Sequence, residues 1–141
     1  MKIETEEVEI VEKPWGSETV FADTPEYCGK ILTIRAGCST SIHRHEKKDE
    51  TLYVLDGSVE VEIFDGRFDC GRWETALRET VALNRGERIR IFAGTWHRVR
   101  ALPNEDDPIH LIEASTARDE RGTVRIEGTR IVAGDPKPEE A

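Results

Sequence analysis

The sequence lacks the long apolar run that a membrane-spanning helix requires. No stretch of 18 or more apolar residues occurs in the chain, and its first thirteen residues are rich in glutamate. A secretory signal would instead begin with a basic segment followed by an apolar one. These absences predict a cytoplasmic protein with no membrane partner.

Cysteine is scarce as well. Cys28, Cys38 and Cys70 are odd in number and form no Cys-x-x-Cys pair. This pattern argues against a disulfide framework and against a thiolate zinc site. We therefore expect buried free thiols.

An excess of basic residues is also missing. The formal net charge is −9 and the isoelectric point is about 5.0, so few cations are available to displace counterions from nucleic acid. We expect no nucleic-acid partner. A small anionic ligand is compatible with this charge, because the local field of a cleft decides its affinity.

Helical periodicity is absent, whereas short runs with alternating or β-branched residues recur along the chain. The predicted strands are Glu18–Ala22, Lys30–Arg35, Thr40–His45, Thr51–Leu55, Ser58–Phe64, Thr80–Leu83, Arg88–Phe92, His97–Leu102, Ile109–Ala114 and Thr123–Ile126. Ten short strands separated by turn residues predict an all-β sandwich or barrel, of which the jelly roll is one form. Residues 1–133 are expected to form one domain with an N-terminal strand arm, and residues 134–141 a disordered tail.

Three sequence signals for turns lie between these strands. Asp56-Gly57 predicts a β-hairpin, and Asn84-Arg85-Gly86 a second turn of the same kind. Asp65-Gly66 predicts a third turn, opening the stretch Arg67–Glu79, which is expected to be a loop with a short helix. The Val8-Ile10 alternation in the acidic N-terminal segment allows an edge strand there.

Two histidines point to a metal site. His43 and His45 lie two residues apart in a predicted strand, so their side chains leave the same face. The polar segment after them can turn the chain and bring Glu50 to the same point, and His97 arrives from a later strand. Such a ligand set suits one divalent ion of Zn, Mn, Fe, Co or Ni without choosing among them.

The spacing of these residues resembles the two sequence motifs of the cupin superfamily. Gly37, His43, His45, Glu50 and Gly57 match the first motif at every marked position. The resemblance implies a double-stranded β-helix, a jelly-roll barrel that binds a metal ion through His43, His45, Glu50 and His97.

The second motif is matched by Gly86, Gly94 and His97. It departs from the superfamily where Phe92 replaces the usual proline and Ala101 the usual asparagine. The glycines that turn the chain and the ligating histidine are kept. Cupins usually dimerise, so the resemblance also implies a homodimer.

A narrower resemblance links the chain to the cupin domain of type II mannose-6-phosphate isomerases. It is carried by Lys13-Pro14-Trp15-Gly16, Gly29-Lys30-Ile31-Leu32, Ile112-Glu113 and Thr123-Val124-Arg125. The chain departs from that family at His43, commonly Gln, at Lys48, commonly Arg, and at Gly128-Thr129-Arg130, commonly Tyr-Gly-Arg. The resemblance implies a metal-dependent aldose–ketose isomerase acting on a sugar or sugar phosphate.

Such an isomerase needs cations for its substrate and a group that carries a proton between two carbons. The candidate cations are Lys30, Lys48, Arg98 and Arg125, and Tyr53 either faces the cavity or belongs to the barrel wall. Glu50 and Lys30 are the candidate proton carriers. Two other functions fit the same ligands: an Fe(II) dioxygenase, and a non-catalytic module that binds a sugar or metabolite.

Overall fold

A computed structural model describes residues 1–69, 72–103, 107–118, 122–127 and 130–133. All regular elements within these residues are β-strands: β1 (Glu9–Lys13), β2 (Gly16–Asp23), β3 (Tyr27–Ile34), β4 (Ile42–His45), β5 (Glu50–Asp56), β6 (Ser58–Asp69), β7 (Arg72–Asn84), β8 (Arg88–Ile91), β9 (Trp96–Ala101), β10 (Ile109–Thr116), β11 (Thr123–Glu127) and β12 (Arg130–Ala133). In the part described, no helix is long and apolar enough to cross a membrane.

The strands form two six-stranded sheets. Sheet A has the order β1-β2-β3-β10-β5-β8, and sheet B the order β12-β11-β4-β9-β6-β7. All of the strand pairs are antiparallel, which confirms the predicted all-β jelly-roll fold. Strands β1 and β12 extend the prediction, since the sequence suggested the first only as a possible edge and did not suggest the second.

Side-chain alternation places the core between the two sheets. In β9, His97, Val99 and Ala101 are almost fully buried, whereas Arg98 and Arg100 between them are more exposed. The same alternation in β10 buries Ile109 and Leu111. Because the inward positions are apolar at one end of the barrel and polar at the other, the core fills one end and leaves the other for a site.

The two strongest turn signals are turns, but neither closes a hairpin. Gly57 and Gly86 have φ values of 73° and 85°, as the turn residues require. Each turn links strands of different sheets, β5 to β6 and β7 to β8. The hairpin prediction is therefore wrong, because turn chemistry sets the local backbone and cannot tell whether the next strand pairs with its predecessor.

The predicted loop and helix over Arg67–Glu79 are also wrong. Strands β6 and β7 form one long hairpin, with a register running from Ser58 opposite Asn84 to Asp69 opposite Arg72. Gly66, predicted to lie in a turn, pairs with Thr75 inside it. Much of β7 is solvent-exposed, so its sequence carries little of the apolar alternation by which strands are recognised.

Gly66 is required where β6 passes over Trp96. A Cβ atom at this position would overlap the indole ring, which is buried and cannot move aside. We expect Gly66→Ala to lower the free energy of unfolding by about 1–3 kcal/mol through overpacking. Urea denaturation measures this change. Gly29→Ala is the control, since the ring that its Cβ would meet, Phe21, is 53% exposed and can rotate away. An equal loss in both variants would contradict this explanation.

Some predictions fall outside the described residues or are met in part. The C-terminal segment 134–141 and Cys70 lie outside them. Cys28 is a buried free thiol as expected, whereas Cys38, also free, is half-buried against the core.

Candidate metal centre

Three imidazole rings meet inside the barrel on the inner face of sheet B. His43 and His45 leave the same face of β4, and His97 of β9 is the cross-strand partner of His43. One potential ligand atom from each lies within 4.8 Å of the others. Ligand nitrogens bound at 2.0–2.1 Å to one ion are about 3–3.5 Å apart, so small ring rotations allow all three to meet a single ion.

The other nitrogen of each ring is held by a fixed oxygen. The Nδ1 atoms lie 2.8 Å from Ser41 O for His43, 2.8 Å from Thr95 O for His97 and 2.7 Å from Thr123 Oγ1 for His45. A backbone carbonyl can only accept, so Nδ1 of His43 and His97 donates and leaves the Nε2 lone pair available to a metal. Rings fixed in this way are prepared for ligation.

Glu50 reaches the same point from sheet A. Its Oε1 lies 3.1 Å from His97 Nε2, and its Oε2 lies 3.6 Å from His45 Nε2. Oε2 is buried and makes no hydrogen bond in the structure. This oxygen also has an ion pair with Lys48 Nζ at 3.3 Å. A buried carboxylate oxygen that lacks a hydrogen bond among the described residues and faces imidazole nitrogens still suits a divalent cation as a further partner.

The protonation of His45 and Glu50 suits metal ligands, whereas His97 holds a proton more strongly than usual. Burial, reinforced by the nearby charge of Lys48, lowers the pKa of His45 to about 2, which keeps the ring neutral. Burial also disfavours charge on His97, but its hydrogen bond to Glu50 outweighs this and raises the pKa of His97 above its usual value. Burial disfavours the Glu50 carboxylate too, yet His97 and Lys48 hold its pKa well below the usual range. Metal binding therefore competes with a proton on His97.

A second set of ionisable side chains comes mainly from sheet A. Lys48 precedes β5 and lies 3.3 Å from Glu50 Oε2 and 2.9 Å from Glu113 Oε2. Burial and the neighbouring Glu50 raise the pKa of Glu113. Burial lowers the pKa of Lys48, but the two carboxylates more than compensate and raise it above its ordinary value.

Further along sheet A, Glu18 lies between two lysines. Its carboxylate is 3.5 Å from Lys13 Nζ and 3.4 Å from Lys30 Nζ. All three side chains are buried. The wall opposite the imidazoles therefore carries both ammonium and carboxylate groups.

One cavity, of about 50 Å³, connects the two sets. It is lined by Lys13, Trp15, Glu18, Lys30, Leu32, Thr40, Ser41, His43, His45, Lys48, Glu50, Leu52, His97, Val99 and Glu113. Its volume admits a metal ion and a few water molecules. A larger substrate would occupy it by displacing that water and extending to the open end of the barrel.

The structure brings some of the predicted site residues together and separates others. Lys30 and Lys48 line the cavity with the four predicted metal ligands. Tyr53 does not, since it is 41% exposed on the outer face of sheet A, opposite Ile112. Arg98 also faces outward, because it alternates with His97, and its Nη2 binds Glu62 Oε2 at 2.9 Å. The prediction that Arg98 lies in the cavity is therefore wrong, and of the two alternatives for Tyr53 the structure supports the barrel wall and not the cavity.

Arg125 lies next to the metal centre but outside the cavity lining. It is buried directly across from His43 in the register of β11 and β4, although it does not line the cavity. Its role toward a substrate stays a prediction.

Three ionisable cavity residues were absent from the predicted site: Lys13, Glu18 and Glu113. A signal for Glu113 was present, because it follows Ile109 and Leu111 at intervals of two and must share their inward face. Glu18 and Lys13 carried no comparable signal, since their inward orientation depends on the pairing of β1, β2 and β3.

Comparison with known proteins agrees with this geometry. The family model for the cupin domain (Cupin_2) matches residues 30–114, more than half of the chain. The protein therefore belongs to the cupin family, as the two sequence motifs predicted. No curated protein matches the sequence.

Many solved structures share the fold. KdgF from Halomonas sp. has a TM-score of 0.60 and 24% identity, over 80% of this chain and 87% of KdgF. CapF, a capsular polysaccharide assembling protein from Staphylococcus aureus, has a TM-score of 0.69 and 19% identity, over 87% of this chain and 33% of CapF. Oxalate decarboxylase from Bacillus subtilis, which has Mn(II) centers, has a TM-score of 0.61 and 18% identity, over 84% of this chain and 30% of the decarboxylase.

The chain spans about a third of the length of CapF and of oxalate decarboxylase. At these identities the likeness establishes the fold alone. The chemistry has to be argued from the site itself.

Proposed function

We propose that the protein is a metal-dependent aldose–ketose isomerase that acts on a sugar or sugar derivative. The observation that carries the proposal is the convergence of three oriented imidazoles and one buried carboxylate on a cavity lined by further acid and base groups. A divalent ion held by His43, His45, His97 and Glu50 would bind neighbouring substrate oxygens and stabilise the negative charge that develops when a proton leaves carbon.

The lining of the cavity favours a polyhydroxylated molecule. Eleven of its fifteen side chains are polar or ionisable, and they offer both donors and acceptors to hydroxyl groups. The four apolar ones, Trp15, Leu32, Leu52 and Val99, provide a surface for the carbon face of a sugar. This mixture suits a small polar substrate that needs both hydrogen bonds and an apolar contact surface.

Glu50 is the proton carrier in this proposal. One of its oxygens is sufficient for a ligand, and the other can accept a proton from the substrate carbon and return it to the neighbouring carbon. Lys48 Nζ, 3.3 Å from Oε2, steadies the carboxylate. We give Lys30, the other predicted carrier, a role in substrate binding instead, because its ammonium is already paired with Glu18.

The test is exchange of substrate hydrogen with solvent. Protein loaded separately with Zn, Mn, Fe(II), Co and Ni is incubated in D₂O with a panel of free and phosphorylated aldoses and ketoses, and NMR follows deuterium uptake beside the carbonyl and interconversion. We expect both with at least one metal. Glu50→Gln should reduce turnover by roughly 10²–10⁴-fold, the usual contribution of a proton carrier.

Glu46→Gln is the matched control, because Glu46 is exposed beyond the end of β4. Metal content is measured in both variants, so that loss of the ion is separated from loss of the base. Absence of exchange across the whole panel with every metal would reject the isomerase. Oxygen consumption with iron alone would indicate a dioxygenase instead.

A further inference from the structure

Glu113 is a buried acid in the cavity that the proposed proton transfer by Glu50 leaves unused. It is 5% exposed and stands on β10 inside sheet A, where the strand register places it opposite Lys30 of β3 and Leu52 of β5. Its side chain lines the same cavity as the three imidazoles. A molecule that fills this cavity therefore contacts Glu113.

Glu113 and Glu50 are held close to each other by one cation. Lys48 Nζ lies 2.9 Å from Glu113 Oε2 and 3.3 Å from Glu50 Oε2, so these two oxygens are no more than 6.2 Å apart. The reacting carbons of an aldose and their oxygens are joined by bonds of about 1.2–1.5 Å. The spacing of the two acids therefore allows one of them to face the carbons of a substrate while the other faces its oxygens.

The carboxylate of Glu113 can accept a hydrogen bond from a molecule in the cavity. Apart from its ion pair with Lys48, Oε2 is buried and makes no hydrogen bond among the described residues. Buried polar atoms seldom remain without one. A hydroxyl group of a bound substrate can supply the missing donor.

The interconversion of an aldose and a ketose moves two protons. One passes between two carbons, which is the transfer proposed for Glu50. The other passes from the hydroxyl oxygen on one carbon to the carbonyl oxygen on its neighbour. Glu50 already holds the first proton while the second one moves, so the second transfer calls for another acid–base group.

We propose that Glu113 is a catalytic residue that carries the proton between the two substrate oxygens while Glu50 carries the proton between the carbons. This inference rests on the proposed function, which supplies the reaction. Burial raises the pKa of Glu113, which makes its carboxylate a stronger base than an exposed one.

The proton and electron transfers balance as follows. Glu50 takes the proton from the hydroxyl-bearing carbon, whose C–H electron pair forms a C=C bond and leaves negative charge on the former carbonyl oxygen. The Glu113 carboxylate takes the proton of the hydroxyl group and delivers it to that oxygen. The former hydroxyl oxygen then becomes the new carbonyl, as Glu50 returns its proton to the former carbonyl carbon. Both acids end in their starting states.

The test compares two rates in the same sample. The protein, loaded with the metal that supports the fastest reaction, is incubated in D₂O with mannose, glucose, xylose and the 6-phosphates of mannose and glucose. NMR follows deuterium uptake into the remaining aldose and formation of the ketose. Uptake requires only the carbon-bound proton to move, whereas ketose formation requires both. Their ratio does not depend on the fraction of protein that holds metal, because both rates scale with it.

Glu113→Gln keeps the size of the side chain and removes its acid–base function. We expect the ratio of ketose formation to deuterium uptake to fall at least roughly tenfold, because only ketose formation loses its proton carrier. Glu62→Gln is the matched control. Glu62 is also a buried glutamate 2.9 Å from a basic side chain, that of Arg98, but it does not line the cavity. The control should leave the ratio unchanged.

Glu113→Ala provides a second measurement if the glutamine variant does not fold. Formate carries a carboxylate and fits the space that the deleted side chain leaves. Adding formate to this variant should raise ketose formation relative to deuterium uptake. No effect of formate on the ratio would count against the proposal.

Two further results would overturn the proposal. If Glu113→Gln changed both rates by the same factor, Glu113 would act only by holding Lys48 in place. If Glu62→Gln lowered the ratio as much as Glu113→Gln, loss of a buried ion pair would be a sufficient explanation. Failure of the isomerase is recognised separately, because the wild-type protein would then show neither deuterium uptake nor ketose.

Discussion

Replacing His45 with alanine is expected to remove the metal ion from the purified protein. His45 is one of three imidazoles whose ligand atoms lie within 4.8 Å of one another, and its ring is kept neutral by burial. Losing one of four ligands should weaken metal affinity at least roughly tenfold, because even a partner that merely orients a ligand contributes that much. Elemental analysis after dialysis against a weak chelator measures the change in stoichiometry.

The chain contains its own control for this experiment. Of its four histidines, His110 is the one that lies outside the cavity. Its Nδ1 lies 2.8 Å from Asp56 Oδ2 at the protein surface. His110→Ala should retain the full metal content of the wild type. If His45→Ala also retained it, the assignment of the metal centre would be wrong.

Replacing Lys48 with methionine is expected to destabilise the metal-free protein by about 3–5 kcal/mol, the range for breaking a buried ion pair by removing one partner. The ammonium of Lys48 lies between Glu50 and Glu113, and its removal leaves two buried carboxylates near each other without their shared cation. Urea denaturation of the metal-free protein gives the free energy of unfolding. Lys47→Met is the control, since Lys47 is the exposed neighbour of the same residue type.

A second substitution separates charge from packing in this prediction. Adding Glu113→Gln to Lys48→Met removes one of the stranded carboxylates, so the double variant should recover part of the lost stability. Metal loading should offset part of the loss as well, because Glu50 would then face a cation. A double variant no more stable than Lys48→Met would show that the lysine acts through its volume rather than its charge.

The sequence predicted the imidazole half of the site and the class of fold, partly from local strand patterns and partly from the resemblance to cupin motifs. His43 and His45 share a face by strand parity, whereas Glu50 and His97 joined them through a glycine spacing that resembles the cupin motifs. Glu113 could have been found by the same parity. Tyr53 and Arg98 could have been rejected by it, since each alternates with inward-facing neighbours.

Other features depend on pairing between strands that are far apart in the sequence, so no local sequence pattern predicts them. The turns at Gly57 and Gly86 had the predicted backbone but joined different sheets, because β5 pairs with β8 and β10 and not with β6. No sequence pattern predicts that the carbonyl of Thr95 orients His97 either. The hairpin of β6 and β7 was missed for a different reason, namely that exposed strands need no apolar alternation.

The two sheets contribute different kinds of group to the cavity. The three imidazoles stand on sheet B, whereas the carboxylates and two of the three lysines stand on sheet A. Sheet B therefore supplies the three imidazoles, whereas sheet A supplies Glu50 and most of the other ionisable groups of the cavity. Under the proposed function, substitutions on sheet A at positions other than Glu50 would change which molecule is admitted while all four metal ligands stay unchanged. A metal ion bound by Glu50 and the imidazoles together would also link the two sheets of the barrel. A charge-altered variant of sheet A is thus a natural starting point for changing what this scaffold accepts.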